Sequence, residues 1–175
     1  LAALLAEAGV TGPQDVFDAD YSVFRQFDFK ITPEEVLEGL GGHWEVTHNM
    51  FKGYACAGWR NPIVWTMIEI STKNNLKAED VAEIKIDVHP RQLGLPNYSA
   101  PKTGLEGKFS VEHAAAVAFI DHAGGLGQFT DAKVNDPRVL ALRSKVKQVR
   151  SEKLKSYQIN STVRTTDGRE FNIFV

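Results

Sequence analysis

The sequence predicts an α+β layered domain, and three observations carry that prediction. Residues 157–175 read as a β-hairpin: two alternating runs, QINSTVRTT and REFNIFV, joined by Asp167-Gly168. Residues 84–88, IKIDV, alternate apolar with charged side chains, the pattern of a strand with one buried face. Helices with clear start signals stand among the strands without a βαβα rhythm, which argues against a doubly wound sheet. The expectation is a mainly antiparallel sheet of about four strands packed against helices.

The elements are taken in order. Residues 1–8 are apolar and alanine-rich, a helix closed by Gly9, and Thr11-Gly12-Pro13 turns into a second short helical stretch over 15–27 anchored by Val16, Phe17, Phe24 and Phe27. Thr32-Pro33-Glu34-Glu35 is a helix start, with Thr32 as N-cap, Pro33 at the first position and Glu35 placed for a capping box; Gly41-Gly42 should end that helix. Residues 44–51, WEVTHNMF, alternate enough to read as a strand. After a small-residue loop, Asn61-Pro62 opens an apolar helix through residue 70. A short turn or helix comes next over 76–81, then the 84–88 strand and a loop over 90–100. Asp136-Pro137 starts another helix, and residues 145–150 are a further strand candidate. The first 30 residues are nearly all helical and suggest a separate helical body.

Residues 101–125 are the stretch with the most chemistry. The loop 101–107 feeds a helix with Ser110 as N-cap and Glu112 and His113 in its first turn. Small alanines dominate 111–119, so neighbouring backbone can come close. Gly124-Gly125 are expected to stop the helix through the left-handed conformation. A helix N-terminus offers unpaired N–H groups and partial positive charge to an anion, and Lys108 and His113 flank it. An ordinary capped helix packed on a sheet has the same sequence.

Composition narrows the classes. With 43% apolar and 24% charged residues in 175, the chain can build a core. A net charge of −2 supplies no basic field for nucleic acid or an anionic membrane. No apolar run approaches the roughly 20 residues of a membrane span. The single cysteine, Cys56, rules out an internal disulfide and a Cys-only zinc site, and it is compatible with a reducing cytosol. No HxH or HExxH spacing, GxGxxG, Walker loop or GxSxG occurs.

Three side chains remain as candidates. Lys52 opens a Gly/Ala loop and suits a carboxylate or phosphate, though a solvated lysine reads the same. His113, at a helix N-terminus, should favour the neutral imidazole, able to accept a proton; the alternative is a histidine buried against the sheet. Cys56 shares the Lys52 loop and is either activated by that cation or a small buried side chain.

The motifs TGP at 11–13, GLGGHWEV at 39–46, FKGYACAGWRNP at 51–62, GKFSVEHAAAVAFIDHAGG at 107–125, DPRVLALRSKV at 136–146 and TTDGREF at 165–171 together resemble the MmgE/PrpD family of 2-methylcitrate dehydratases and cis-aconitate decarboxylases. The resemblance runs through essentially the whole chain. It implies a large all-helical domain and a smaller α+β lid, an active site between them, a homodimer, and chemistry without a metal or organic cofactor. Residues 1–30 would be the end of the helical domain and residues 31–175 the lid, without the closing helices. The chain starts and stops inside apparent elements, as a piece of a longer protein would.

By the same resemblance Lys52 matches the lysine of the family's K-P-Y-P-C loop, with Gly53 and Ala55 in place of the prolines. His113 matches a position held by tyrosine in the decarboxylase and by histidine in many relatives. Lys52 and His113 are thereby expected to be catalytic and to face one open side of the lid. Lys108 and Ser110, the family's KFS, and Asn61, where the family often has His before Pro, are expected to contact substrate. An asparagine cannot do a histidine's acid–base work, which departs from strict 2-methylcitrate chemistry and is compatible with a different substrate. The implied partner is a small polycarboxylate, with the helical domain of the same protein beside it, no nucleic acid and no membrane. The implied location is the cytoplasm, or the mitochondrion in a eukaryote. The other expectation is a binding or assembly module that keeps the lid fold without catalysis.

Overall fold

The computed structural model describes residues 1–17, 20, 22–27 and 32–175. The chain divides into two compact units, Leu1–Met50 and Phe51–Val175. Asp18, Ala19 and Tyr21 of the expected 15–27 helical stretch, and the expected boundary at residues 30 and 31, lie outside the described residues.

In Leu1–Met50 the described elements are short helices at Ala2–Glu7, Val23–Gln26 and Pro33–Leu37 and a 3-10 turn at Glu45–His48. Thr32 forms the expected capping box. Its Oγ1 accepts the Glu35 N–H at 3.3 Å, and the Glu35 carboxylate accepts the Thr32 N–H at 2.6 Å. The helix ends at Glu38, before the glycine pair, and Gly39 and Gly41 take positive φ in the turns beyond it. Residues 44–51 are not a strand. Both the backbone N–H and the hydroxyl of Thr47 donate to Trp44 O, at 3.0 and 2.7 Å, which closes a local turn in place of a ladder. Trp44, Val46, Met50 and Phe51 are exposed, so their alternation has no buried face to serve.

Phe51–Val175 is a two-layer α+β unit. Its sheet has the order β2-β1-β3-β4, with β1 Val81–Val88, β2 Val146–Arg150, β3 Ile159–Thr165 and β4 Glu170–Phe174. β1 pairs antiparallel with β3 and β3 with β4, while β2 lies parallel to β1 after the intervening helices. The β3–β4 hairpin turns at Asp167-Gly168, where Gly168 supplies the positive φ. The strand candidate at 145–150 is β2, and it completes the four-stranded sheet without residues 44–51.

Period-two patterning sorts the two faces. Ile84, Ile86, Val88, Ile159 and Val163 are buried on one face, each contributing on the order of 1.5–3 kcal/mol. The other face carries ion pairs such as Lys147–Glu83 at 2.7 Å and Lys85–Asp87 at 3.2 Å. Two helices cover the apolar face, Asn61–Lys73 and Val111–Asp121. The Thr66 and Ser161 hydroxyls, 2.8 Å apart, join the first helix to β3 and satisfy both buried groups. In the second helix Val111 and residues 113–119 are all buried, as expected of a helix enclosed on every side.

That helix does not end on glycine. His122 takes the left-handed conformation, φ 53°, with its Nδ1 3.0 Å from Ser71 Oγ on the neighbouring helix. Gly124 serves a different need: a Cβ there would lie 2.5 Å from Val64 Cγ1 and 2.7 Å from Tyr54 Cδ1. The expected loop 101–107 contains one helical turn, Gly104–Gly107, capped by Thr103 and Glu106. A Cβ on Gly104 would meet Phe129 O at 2.2 Å. No helix among the described residues is long and apolar enough to cross a membrane.

Candidate functional site

The loop after Phe51 is held in place from three sides. Asn61 Oδ1 accepts the Tyr54 N–H at 3.0 Å, and Asn61 Nδ2 donates to Ala57 O at 3.3 Å. The Ala55 N–H donates to Gly124 O at 2.8 Å, tying the loop to the end of the alanine-rich helix. The Ala57 N–H donates to Lys108 O at 3.0 Å, tying it to the stretch that precedes the same helix. Between these anchors opens a cleft of about 650 Å³. Lys52 and Lys108 stand on it, with Tyr54 and Cys56 on one wall and Leu105, Phe109 and Leu126 on another. None of the described residues lining it is acidic.

Two cations facing one open cleft with no carboxylate to neutralise them form an anion-suited site. Lysine ammonium groups are point charges that take carboxylate or phosphate oxygens without demanding a planar fork. The apolar wall suits the carbon skeleton of such a ligand. Burial pushes the Cys56 thiol up to about 11 despite the nearby Arg60 and Lys52 cations. The thiolate is therefore scarce at neutral pH, and Cys56 behaves as a small wall residue and not as a nucleophile.

The other sequence candidates face inward. Ser110 is fully buried; its Oγ accepts the His113 N–H at 3.0 Å as the helix cap. Asn61 spends its amide on the 54–57 loop. His113 is fully buried and does not line the cleft. Its Nε2–H donates to Gln128 O at 2.9 Å, and its ring packs edge-on against Phe129 with centroids 5.5 Å apart. With the proton on Nε2, Nδ1 is a bare acceptor, buried and without a partner. Burial holds its pKa below the ordinary imidazole value, and the Gln128 carbonyl only partly offsets this. The structure thus brings Lys52 and Lys108 together on one cleft and sets His113 under the 126–129 turn that carries Leu126.

Arg60 is a residue that sequence reasoning misses. It is buried, and its guanidinium reaches the carbonyls of Pro96 and Phe109. Its position one residue before the Asn61-Pro62 helix start carries no signal of that reach, which spans 36 and 49 residues. Among the described residues, no three His, Cys, Asp or Glu side chains are grouped to hold a metal ion.

An α+β layer with an anion-suited cleft between a small-residue loop and a helix N-terminus is the class that fold and site define. Comparison with known families makes this specific: residues 54–175 match the MmgE/PrpD C-terminal domain, and the chain belongs to that family. A search of curated proteins gives no match.

Proposed function

We propose that the chain is the lid-domain portion of a cofactor-free lyase, of dehydratase or decarboxylase type, acting on a small polycarboxylate such as 2-methylcitrate. The observation that supports this most is the pairing of Lys52 and Lys108 on a cleft without acidic lining. In this reading the two ammonium groups hold substrate carboxylates and stabilise the enediolate-like charge that develops when a proton leaves the adjacent carbon. His113 keeps the acid–base role by resemblance; its unprotonated Nδ1 is buried away from the cleft, so that role requires the ring to gain access to substrate. The remaining catalytic groups belong to the helical domain that the family places before the lid, so the chain by itself is expected to bind without turnover.

The test is calorimetric titration of the chain with citrate, 2-methylcitrate, cis-aconitate and, as a control, propionate. The tricarboxylates should bind more tightly than propionate, weaken with added salt, and weaken again in Lys52→Met and Lys108→Met. Equal binding of all four, or variants that bind like the wild type, would sink the assignment. One observation favours a second reading, a binding module without catalysis: no described residue lining the cleft is a histidine or a carboxylate able to move a proton. Turnover on adding a family helical domain would decide for the enzyme.

A further inference from the structure

Arg60 is the buried charge that the proposed function leaves unused. It is 3% exposed, and its Nε is buried without a partner. Its Nη2 donates to Pro96 O at 2.7 Å and to Phe109 O at 3.3 Å. Its hydrogen bonds go to carbonyls; among the described residues it makes no ion pair, and the Glu112 carboxylate acts on it only at longer range. An arginine buried on those terms is a poor stabiliser, since an apolar side chain of the same length would avoid the desolvation. Its value lies in which carbonyls it holds. Phe109 O belongs to the residue after Lys108, and the Ala57 N–H already grips Lys108 O at 3.0 Å. Two adjacent peptide units of the Lys108 stretch are therefore tied to the loop carrying Lys52 and Cys56. The same guanidinium draws in Pro96, ahead of the 101–107 segment.

We propose that Arg60 is the positioning residue of this site: it latches the stretch 96–109, and Lys108 with it, onto the loop 52–60. The separation of the two lysines, and hence the ligand they span, is set by that latch. The inference rests on the two-lysine carboxylate site, but its first readout needs no ligand.

Cys56 provides that readout. It is the single cysteine, buried on the 52–60 stretch and lining the same cleft as Leu105, Lys108 and Phe109 of the other stretch. Its reaction with a colorimetric aromatic disulfide reports how often the stretches part. Arg60→Met keeps the length of the stem and removes the donors. We expect Cys56 to react about tenfold faster or more in Arg60→Met, the scale set by losing a hydrogen bond from a charged donor. Arg60→Lys, which keeps the charge, should recover part of the protection, and it stands in should the methionine variant fail to fold. Thr66→Val, which breaks the Thr66–Ser161 pair elsewhere in the unit, should leave the Cys56 rate unchanged even where it lowers the unfolding midpoint more. Wild-type reactivity in both Arg60 variants, or equal acceleration in Thr66→Val, overturns the latch. Citrate serves as the probe of the second stage: it should slow Cys56 in the wild type, and Arg60→Met should need about tenfold more of it. A wild type that citrate does not protect, with Arg60→Met still exposing Cys56, removes the carboxylate reading and leaves the latch standing.

Discussion

Thr32 and Ser110 do the same local job in the two units of the chain. Each is an N-cap whose hydroxyl accepts the N–H three residues on, at 3.3 Å in one case and 3.0 Å in the other. The helices behind those caps are unlike. The Thr32 helix runs five residues, and its Val36 and Leu37 stay exposed. The Ser110 helix runs eleven residues and buries nearly every side chain against the sheet and its neighbours. Among the described residues of Leu1–Met50, Ser22 alone is buried, whereas Phe51–Val175 holds a continuous apolar core. Capping decides where a helix begins; burial decides how much that helix is worth.

The largest expected effect breaks the comparison at its widest point. Phe119, 1% exposed, sits in the core of the second unit, and truncating it removes apolar contacts and leaves a cavity. Phe119→Ala should cost about 3–5 kcal/mol in urea unfolding. Leu5, 44% exposed in the first unit, should cost within about 0.5 kcal/mol when truncated to Ala. A Leu5→Ala loss that rivals Phe119→Ala would show that the first unit owns a core as real as the second.

A pH titration sharpens the comparison next. His113 is neutral in the folded state because burial lowers its pKa below 6.5, while the unfolded chain regains the ordinary value. Above that ordinary value neither state binds the proton, and the stabilisation is whole. As pH falls below it, the unfolded state takes the proton first, so stability declines until the folded pKa is passed. Charged groups facing the ring modulate this: Arg143 and Lys133 lower its pKa further and Asp121 raises it. The unfolding midpoint should therefore drop between pH 7.5 and pH 5.5, a window chosen to bracket the ordinary imidazole value of about 6.5. His113→Gln should flatten that drop. An unchanged slope in His113→Gln would place the pH dependence elsewhere.

What could be read from the sequence was local. The hairpin at Asp167-Gly168, the Thr32 box, the Ser110 cap and the Asn61-Pro62 helix start each need only neighbouring residues, and each is present. The strand reading of 44–51 failed because alternation signals a strand only when one face is covered, and Thr47 found a nearer partner. Of the candidate site, residue type was legible and placement was not. Lysines in small-residue loops advertise themselves by type, and Lys52 and Lys108 do line one cleft. The inward engagement of Asn61, Ser110 and His113 depends on tertiary burial, and the reach of Arg60 depends on chain segments far away in sequence. Gly124 looked like a helix stop because glycine often is one; the space it yields to Val64 and Tyr54 is a contact that only the packed fold defines.

The smallest expected effect tests the comparison where the two units are most alike. Ser110→Ala removes the acceptor of the His113 N–H inside a buried setting, where water cannot replace it. The loss should be about 1–2 kcal/mol, the upper part of the range for N-caps. Thr32→Ala removes an acceptor from a solvent-exposed helix start, where water takes over the Glu35 N–H. Its helix buries little, so less cooperative structure depends on the cap, and the cost should be a few tenths of a kcal/mol. Urea unfolding of both variants, tracked by far-ultraviolet circular dichroism and by tryptophan fluorescence, separates the outcomes. Fluorescence draws on Trp44 in the first unit and on Trp59 and Trp65 in the second, so a change confined to the first unit would register as a partial signal. Equal losses from the two substitutions would mean that the cap, and not the burial behind it, carries the energy. That result would undo the distinction drawn between the units.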